Sequence, residues 1–175
     1  ISILWTYLYN PNNGLINSIL NSFKIPSQPF LTSVSQAMNS IIVMSAWQAA
    51  GYYMMIFLAG LQEISNDLYE AAEMDGANEI HKFLYVTLPS LSNVLRFVIL
   101  MTTVQAFKLF TQPFIMTNGG PQDSTKTVVQ FIYEQGFQYR NIGYSSAISV
   151  IFFIFVLLIS MILRKIIFTK EESGG

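Results

Sequence analysis

Two long stretches without charge constrain the fold of this chain more than any other feature of its sequence. Residues 41–60 and residues 142–163 contain no Asp, Glu, Lys or Arg and are strongly apolar. A helix rises about 1.5 Å per residue, so each stretch is roughly 30 Å long as a helix, which matches the hydrocarbon thickness of a bilayer. The sequence therefore predicts a transmembrane helix at each of these positions.

The composition supports a membrane environment and excludes several classes of function. Only 11% of the residues are charged, against about 25% in an average soluble domain. The net charge of -1 provides no basic surface for binding nucleic acid. The chain has no cysteine, which excludes disulfides, thiolate metal sites and cysteine nucleophiles. We therefore expect an all-α, polytopic helical membrane protein.

A third span is predicted over residues 88–115, although two basic residues interrupt it. Arg96 and Lys108 lie within this stretch, and a charge near the centre of a membrane helix costs about 2.5 to 3.5 kcal/mol. Arg96 is expected near one interface, where its long side chain can snorkel to water. Lys108 has two open interpretations: an ionisable group kept inside the membrane for function, or a lysine that snorkels to the outer surface.

The remaining stretches are expected to connect these spans within a single transmembrane domain. Basic residues favour the cytoplasmic side, and Arg164 and Lys165 follow the last span, so its end is expected inside. Because the chain opens inside an apolar stretch, it is expected to be a fragment with about three complete spans. The predicted order is the tail of a preceding span (1–9), an extracytoplasmic loop (10–40), a span (41–60), a cytoplasmic loop (61–87), a span (88–115), an extracytoplasmic loop (116–141), a span (142–165) and a cytoplasmic tail (166–175).

The loop at 61–87 is acidic and is predicted to hold two short helices joined by a bend. It contains six of the ten acids in the chain. Ser65 or Asn66 is a suitable N-cap for the first helix. Gly76 can adopt a left-handed conformation and end it, and the second helix is expected to run from Ala77 to Leu88. Such a pair fits a protein-docking element, but an ordinary polar connector also has this composition.

A motif in this loop resembles the signature of a transporter family. Glu70-Ala71-Ala72 is followed after three residues by Gly76, after nine more by Val86, and then by Leu88-Pro89. This spacing resembles the EAA signature of ABC importer permeases, with Val86 in place of the usual Ile. We refer to residues 63–89 as the EAA segment. The flanks are similar to the sugar-importing branch, which includes maltose and glycerol-phosphate permeases, at residues 60–64, 75–77, 117–121, 133–134 and 143–147.

The resemblance implies a transmembrane permease domain in a bacterial cell membrane that docks on a separate ATPase. The implied partners are cytoplasmic ATP-binding subunits, a second permease subunit, an extracytoplasmic solute-binding protein and a sugar. ATP and Mg would be bound by the partner ATPase, so this chain is expected to be no enzyme and to hold no cofactor or metal. The implied ATPase-coupling residues are Glu70, Ala71, Ala72, Asp75, Gly76, Ala77, Leu88 and Pro89.

Polar and aromatic residues inside the spans are candidates for the translocation path, because sugars stack on aromatic rings and bond to polar side chains. The candidates are Trp47, Gln48, Tyr52, Thr103, Gln105 and Lys108. The same residues also suit a structural role, as interhelical hydrogen-bonding groups or as an interfacial aromatic belt. Two other functions stay open: an ABC importer permease for another small solute, and a secondary transporter or channel.

Overall fold

The computed structural model describes residues 1 to 168, and in this range it contains α-helices and no β-strand. The α-helices are α1 (Ser2–Leu8), α2 (Leu15–Ser22), α3 (Ala37–Gln62), α4 (Asn66–Met74), α5 (Glu79–Lys82), α6 (Leu88–Ser90), α7 (Ser92–Phe107), α8 (Thr111–Met116), α9 (Val128–Tyr133) and α10 (Ile142–Phe168). Two π-helical segments, Phe83–Thr87 and Glu134–Gln138, and a 3-10 turn, Phe30–Thr32, complete the regular structure. The predicted all-α class is confirmed.

Two of these helices are long and apolar enough to cross a bilayer. They cover Ala37–Gln62, with a mean hydropathy of 1.5, and Ile142–Ile167, with a mean hydropathy of 2.9. Both include the uncharged stretches that predicted spans. Very little of either helix is buried within the chain, 11% and 0% of the most apolar window, so their apolar surface is left for lipid or for partner helices. The structure describes the predicted tail at 166–175 only as far as Phe168, and the rest of this tail lies outside the described residues.

The stretch 88–115, which was predicted as one span, is divided into several helices. Helix α7 ends at Phe107, and α8 begins only at Thr111. The cause is Pro113, because a proline ring clashes with the carbonyl four residues earlier, here that of Leu109, and removes a hydrogen bond. The sequence prediction weighed the charges in this stretch and overlooked the proline.

A second irregularity precedes α7. The helix pair Glu79–Ser90 and Ser92–Phe107 is bent by 64°, and together the pair is apolar enough to count as one broken span. The π-helical segment lies directly before Leu88 and Pro89. Its wider turn accommodates a proline that cannot donate to the helical ladder, so the chain stays helical through Pro89 and bends at Leu91 instead.

The helices form two compact units. The first comprises Ile1–Gln48 and Ala106–Leu158, and the second comprises Ala49–Gln105 with the described residues from Ile159 onward. The core of the first unit contains Tyr9, Ile41, Met44 and Met116, with aromatic and leucine side chains packed around it. The Tyr9 hydroxyl donates to the carbonyl of Ser40 at 3.1 Å, which ties α1 to the start of α3.

The predicted loop at 10–40 is folded around one buried asparagine. Asn17, on α2, is only 1% exposed. Its amide nitrogen donates to the carbonyls of Pro11 and Gln28 at 3.1 and 2.9 Å, and its oxygen accepts from the Gln28 N–H at 2.9 Å. These bonds hold a proline-rich connector in one conformation.

Small residues set two close approaches between elements. In the second unit, a Cβ added to Gly60 on α3 would lie 2.8 Å from Val94 Cγ2 on α7. In the first unit, a Cβ on Gly136 would lie 2.8 Å from the Ser145 hydroxyl of α10, which donates to the Ile132 carbonyl at 2.9 Å. The stretch 116–141, which was predicted as a loop, contains α9 and the π-helical segment that follows it.

Candidate functional site

The first helix of the EAA segment begins as the sequence predicts. Ser65 is the N-cap of α4, and its hydroxyl accepts from the Asp67 N–H at 3.3 Å. Asp67 places a carboxylate in the first turn, where the partial positive charge of the helix N-terminus favours it. A short acidic helix is therefore stabilised locally, without burial of a large apolar face.

The bend predicted at Gly76 is a glycine-terminated helix end. Gly76 has φ +80°, and its N–H donates to the Glu73 carbonyl at 2.9 Å. The N–H of Ala77 donates to the Ala72 carbonyl, also at 2.9 Å. This pair of bonds is the Schellman motif, which satisfies two of the last carbonyl groups of α4 and turns the chain sharply. No atom lies within 4 Å of a Cβ built on Gly76, so the bend is open to solvent.

The second helix folds back and is held to the first by side chains. Asn78 caps α5 by accepting from the His81 N–H at 2.9 Å. The hydroxyls of Tyr69 on α4 and Thr87 lie 2.9 Å apart. The Lys82 ammonium lies 2.6 Å from a carboxylate oxygen of Glu73, across the bend. The EAA segment is therefore a hairpin of two short helices.

Electrostatics within the hairpin follow from Lys82. Its hydrogen bond and its charge hold the pKa of the Glu73 carboxyl below the usual 4.5. Hydrogen bonds to Glu73 and then to Glu79, which lies 2.6 Å away on α5, raise the pKa of Lys82 itself above 10.5. Glu73 and Lys82 are therefore both charged at neutral pH.

The outer surface of the hairpin combines one free acid with exposed apolar side chains. Glu70 is exposed, and its carboxylate makes no hydrogen bond or ion pair with the described residues. Met74 is 89% exposed, Ile80 69% and Tyr85 74%. The sequence prediction did not include these three residues. Their apolar side chains in an otherwise acidic loop could have indicated them. Exposed apolar groups beside a charge are typical of a surface that another protein covers.

The other predicted coupling residues divide between the hairpin and the helix after it. Glu70 to Ala77 share α4 and the bend; Ala71 and Asp75 are exposed there, while Ala72 and Ala77 are half-buried. Leu88 and Pro89 lie in α6, beyond the π-helical segment, and both are exposed. The structure therefore brings the first six together and places the last two at the end of the hairpin.

The aromatic path candidates are exposed and paired with rings that the prediction did not include. Trp47 is 59% exposed, and its ring lies 5.4 Å from that of Trp5 on α1. Tyr52 is 63% exposed and meets Tyr53 edge-on at 5.4 Å. Trp5 lies in the predicted tail of a preceding span (1–9) and was not among the candidates, although its aromatic character was a signal in the sequence.

The polar path candidates do not lie on one helix face. Gln48 and Tyr52 are four residues apart and so share a face of α3, whereas Trp47 projects from another side. The Thr103 hydroxyl donates to the Ile99 carbonyl at 2.8 Å, a bond that serves the helix itself. Gln105 is exposed.

Lys108 follows the end of α7, beside the middle of α10. The adjacent Phe107 meets Phe155 edge-on at 5.6 Å, and Phe155 is half-way along α10, about 20 Å from Ile142. Lys108 therefore lies far from the end of that helix, which argues against snorkelling to the outer surface. Its side chain lines a 320 Å³ groove with apolar residues of α9 and α10. A cation after a helix C-terminus also neutralises the partial negative charge there.

No group of three or more His, Cys, Asp or Glu side chains that could hold a metal ion occurs in the described residues 1–168. His81 has a local role in the hairpin: its Nδ1 lies 2.8 Å from the Asn78 amide oxygen, and its ring stacks on Tyr85.

The chain is similar in sequence to permeases over nearly its whole length. It is 34% identical over 175 residues to the probable ABC transporter permease protein YurN of Bacillus subtilis, covering 99% of this chain and 60% of that protein. It is 34% identical to the arabinooligosaccharides transport system permease protein AraP of the same species, covering 92% and 52%. It is 35% identical to the sn-glycerol-3-phosphate transport system permease protein UgpA of Agrobacterium fabrum, covering 98% and 59%. The chain thus spans little more than half of each relative.

A solved structure shares the fold. It is a bacterial alginate ABC transporter in complex with an alginate pentasaccharide-bound periplasmic protein; the TM-score is 0.87 at 20% identity, covering 99% of this chain and 61% of that one. The family model for the binding-protein-dependent transport system inner membrane component matches residues 1–171. The chain belongs to this family of inner membrane permease components of ABC transporters.

Proposed function

We propose that this chain forms part of the translocation path of an ABC importer for a sugar, and that the EAA segment couples transport to ATP hydrolysis in a partner ATPase. The observation that carries the proposal is the surface of the hairpin. The hairpin carries the Glu70 carboxylate, which has no partner among the described residues, and the exposed side chains of Met74, Ile80 and Tyr85. Exposed apolar side chains and a free acid on one short element suit a cleft whose rim carries basic residues.

The same proposal assigns the chemistry of ATP to other subunits. ATP and Mg would be bound by the cytoplasmic ATPase, a second permease subunit would complete the path, and a solute-binding protein would deliver the solute from outside. The solved alginate ABC transporter is in complex with a substrate-bound periplasmic protein, which supports the solute-binding protein as a partner. The EAA segment would then face the cytoplasm.

Sugar is the solute class that the relatives favour. The similar proteins include permeases for arabinooligosaccharides and for trehalose and maltose. The exposed rings of Trp47 and Tyr52 suit stacking against a sugar, and Gln48, Thr103, Gln105 and Lys108 would supply polar contacts. A second candidate is a polyol phosphate, because another relative serves sn-glycerol-3-phosphate. Uptake assays in reconstituted vesicles with both solute classes would separate the two.

The coupling role is tested by reversing the charge at Glu70. In the full-length protein, Glu70→Lys should lower the affinity for the ATPase by about 30-fold or more, because breaking a desolvated charge pair costs about 2 to 5 kcal/mol. Substrate-stimulated ATP hydrolysis should fall with it. Insertion into the membrane should be unchanged, since Glu70 is exposed on a short helix outside the two long apolar helices.

The matched control is Glu63→Lys, which makes the same charge change at an exposed residue of the EAA segment that precedes α4 and so lies outside the two-helix hairpin proposed to dock. Glu79 is unsuitable as a control because it pairs with Lys82 within the hairpin. Equal damage in both variants, or normal ATP hydrolysis in Glu70→Lys, would contradict a docking role for this surface.

A further inference from the structure

One lysine fastens the two short helices of the hairpin to each other. The Lys82 ammonium lies 2.6 Å from Glu73 Oε1 on α4 and 2.6 Å from Glu79 Oε1 on its own helix. The Lys82 side chain is only 11% exposed, whereas those of Glu73 and Glu79 are 61% and 89% exposed. The cation is therefore the covered member of the group, and its two carboxylates lie at the surface.

A hydrogen bond provides a second connection, between α4 and the π-helical segment that follows α5. The hydroxyls of Tyr69 and Thr87 meet at 2.9 Å although the residues are 18 positions apart. Thr87 is only 8% exposed, so its side of this bond is shielded from water. Together with the Lys82 ion pairs, it restricts the angle between α4 and the helical stretch that follows the Gly76 bend.

The acids of the hairpin consequently have different surroundings. Glu73 and Glu79 both form ion pairs with Lys82, while the Glu70 carboxylate has no partner among the described residues. Opposite charges placed within the hairpin prevent it from presenting a uniformly acidic surface. The position of Glu70 relative to the exposed Met74 and Ile80 then depends on the hairpin keeping its angle.

We propose that Lys82 is a positioning residue of the coupling apparatus: by bridging Glu73 and Glu79 it holds the two helices at one angle, so that Glu70 and the exposed apolar side chains move as a rigid body. This inference rests on the proposed function. An isolated surface ion pair adds little stability. The effect of Lys82 is therefore expected on coupling rather than on folding or assembly.

The test uses Lys82→Met, which keeps the aliphatic stem and removes the charge, in the full-length permease reconstituted with its ATPase and binding protein. The ATPase should still copurify. The stimulation of ATP hydrolysis by substrate-loaded binding protein should fall about fivefold or more, the lower end of a typical coupling factor. Lys82→Arg should retain stimulation because it preserves the ion pairs. The control is Lys24→Met, at an exposed lysine of the 10–40 connector, which should behave as the unmodified protein.

A covalent rescue makes the inference independent of any folding defect. The chain has no cysteine, so cysteines can be placed at positions 73 and 82 and bridged by a short bifunctional thiol reagent. The double variant should lose stimulation, and crosslinking should restore most of it.

The possible results separate a failure of the positioning role of Lys82 from a failure of the proposed coupling function. Normal stimulation in Lys82→Met with impaired Glu70→Lys, or failure of the crosslink to restore stimulation, overturns the positioning role alone. Normal coupling in Glu70→Lys overturns the proposed function.

Discussion

Two glycines with nearly the same positive φ angle show how differently two regions of this chain are built. Gly76 in the EAA segment has φ +80°, and Gly119 in residues 116–141, which we name the Gly-Gly-Pro segment, has φ +84°. A Cβ on Gly76 would meet nothing within 4 Å, whereas one on Gly119 would lie 2.9 Å from Gln130 Nε2. The first bend is open to the surroundings, and the second is packed against its own segment.

Other residues of the two regions differ in the same way, being packed in one region and exposed in the other. In the Gly-Gly-Pro segment, Thr125 and Gln130 are fully buried and Glu134 is 8% exposed. Gln130 donates to Glu134 at 3.1 Å, and the Thr125 hydroxyl donates to the Gly120 carbonyl at 2.9 Å. Buried polar groups bonded to one another give a region a single conformation.

The EAA segment leaves its side chains exposed instead. It presents the Glu70 carboxylate and several apolar side chains to the surroundings. The comparison teaches that the Gly-Gly-Pro segment packs its bend against its own buried polar residues, although Phe137 and Tyr139 of that segment are exposed, while the bend of the EAA segment is open, as the proposed docking on a partner requires.

The largest expected effect is a loss of stability on substitution of Gly119, the packed glycine of this comparison. Gly119→Ala combines a left-handed backbone penalty of about 1 to 2 kcal/mol with an overpacking penalty of about 1 to 3 kcal/mol against Gln130. We expect the free energy of unfolding in mixed micelles to fall by about 2 to 5 kcal/mol. Gly51→Ala, in a helix with open space around it, is the control and should be neutral or slightly stabilising. A neutral Gly119→Ala would show that this segment is not tightly packed.

A smaller stability effect is expected at the open bend. Gly76→Ala carries only the backbone penalty, about 1 to 2 kcal/mol and confined to the hairpin, since no atom is crowded. Stimulated ATP hydrolysis should fall, because the angle of the hairpin changes. Gly76→Asn should restore much of it, since asparagine tolerates the left-handed region. If Asn and Ala behave alike, the positive φ is not what matters at this bend.

The smallest effect concerns pH. The lowered pKa of Glu73 means that its ion pair contributes stability above the usual 4.5 and loses it as the pH falls through the lowered value. The raised pKa of Lys82 means that its contribution is present below 10.5 and is lost only as the pH rises through the raised value. The ion pair should therefore be constant between about pH 6 and about pH 9.

Carbon-13 chemical shifts of a labelled Glu73 carboxyl should report this directly. The titration midpoint should lie below 4.5 and should rise in Lys82→Met. An unchanged midpoint in that variant would show that the contact does not persist in solution.

Much of this organisation was predictable from the sequence, and the exceptions have identifiable causes. The two uncharged stretches predicted α3 and α10 because helix length against bilayer thickness is a strong constraint. Ser65 and Gly76 predicted the start and end of α4 because capping depends on local residue types.

Other features depend on contacts that are distant in sequence or on helix defects. The Trp5–Trp47 pair and the Tyr69–Thr87 bond join residues 42 and 18 positions apart, and no local pattern indicates them. The division of the predicted third span follows from Pro113, a signal that was present in the sequence and was overlooked. The ion pairs of Lys82 needed the hairpin geometry, because several acids were equally near in sequence.

The central claim is that the EAA segment is completed by a partner, and hydrogen–deuterium exchange tests it most directly. The measurement compares the full-length permease in nanodiscs with and without its ATPase. We predict that amides of the hairpin from Asn66 to Lys82 exchange at least about tenfold more slowly with the ATPase bound, since docking shields the exposed face and suppresses local opening. Amides of the Gly-Gly-Pro segment should be unchanged. Unaltered exchange in the hairpin, or equal slowing in both segments, would contradict the account.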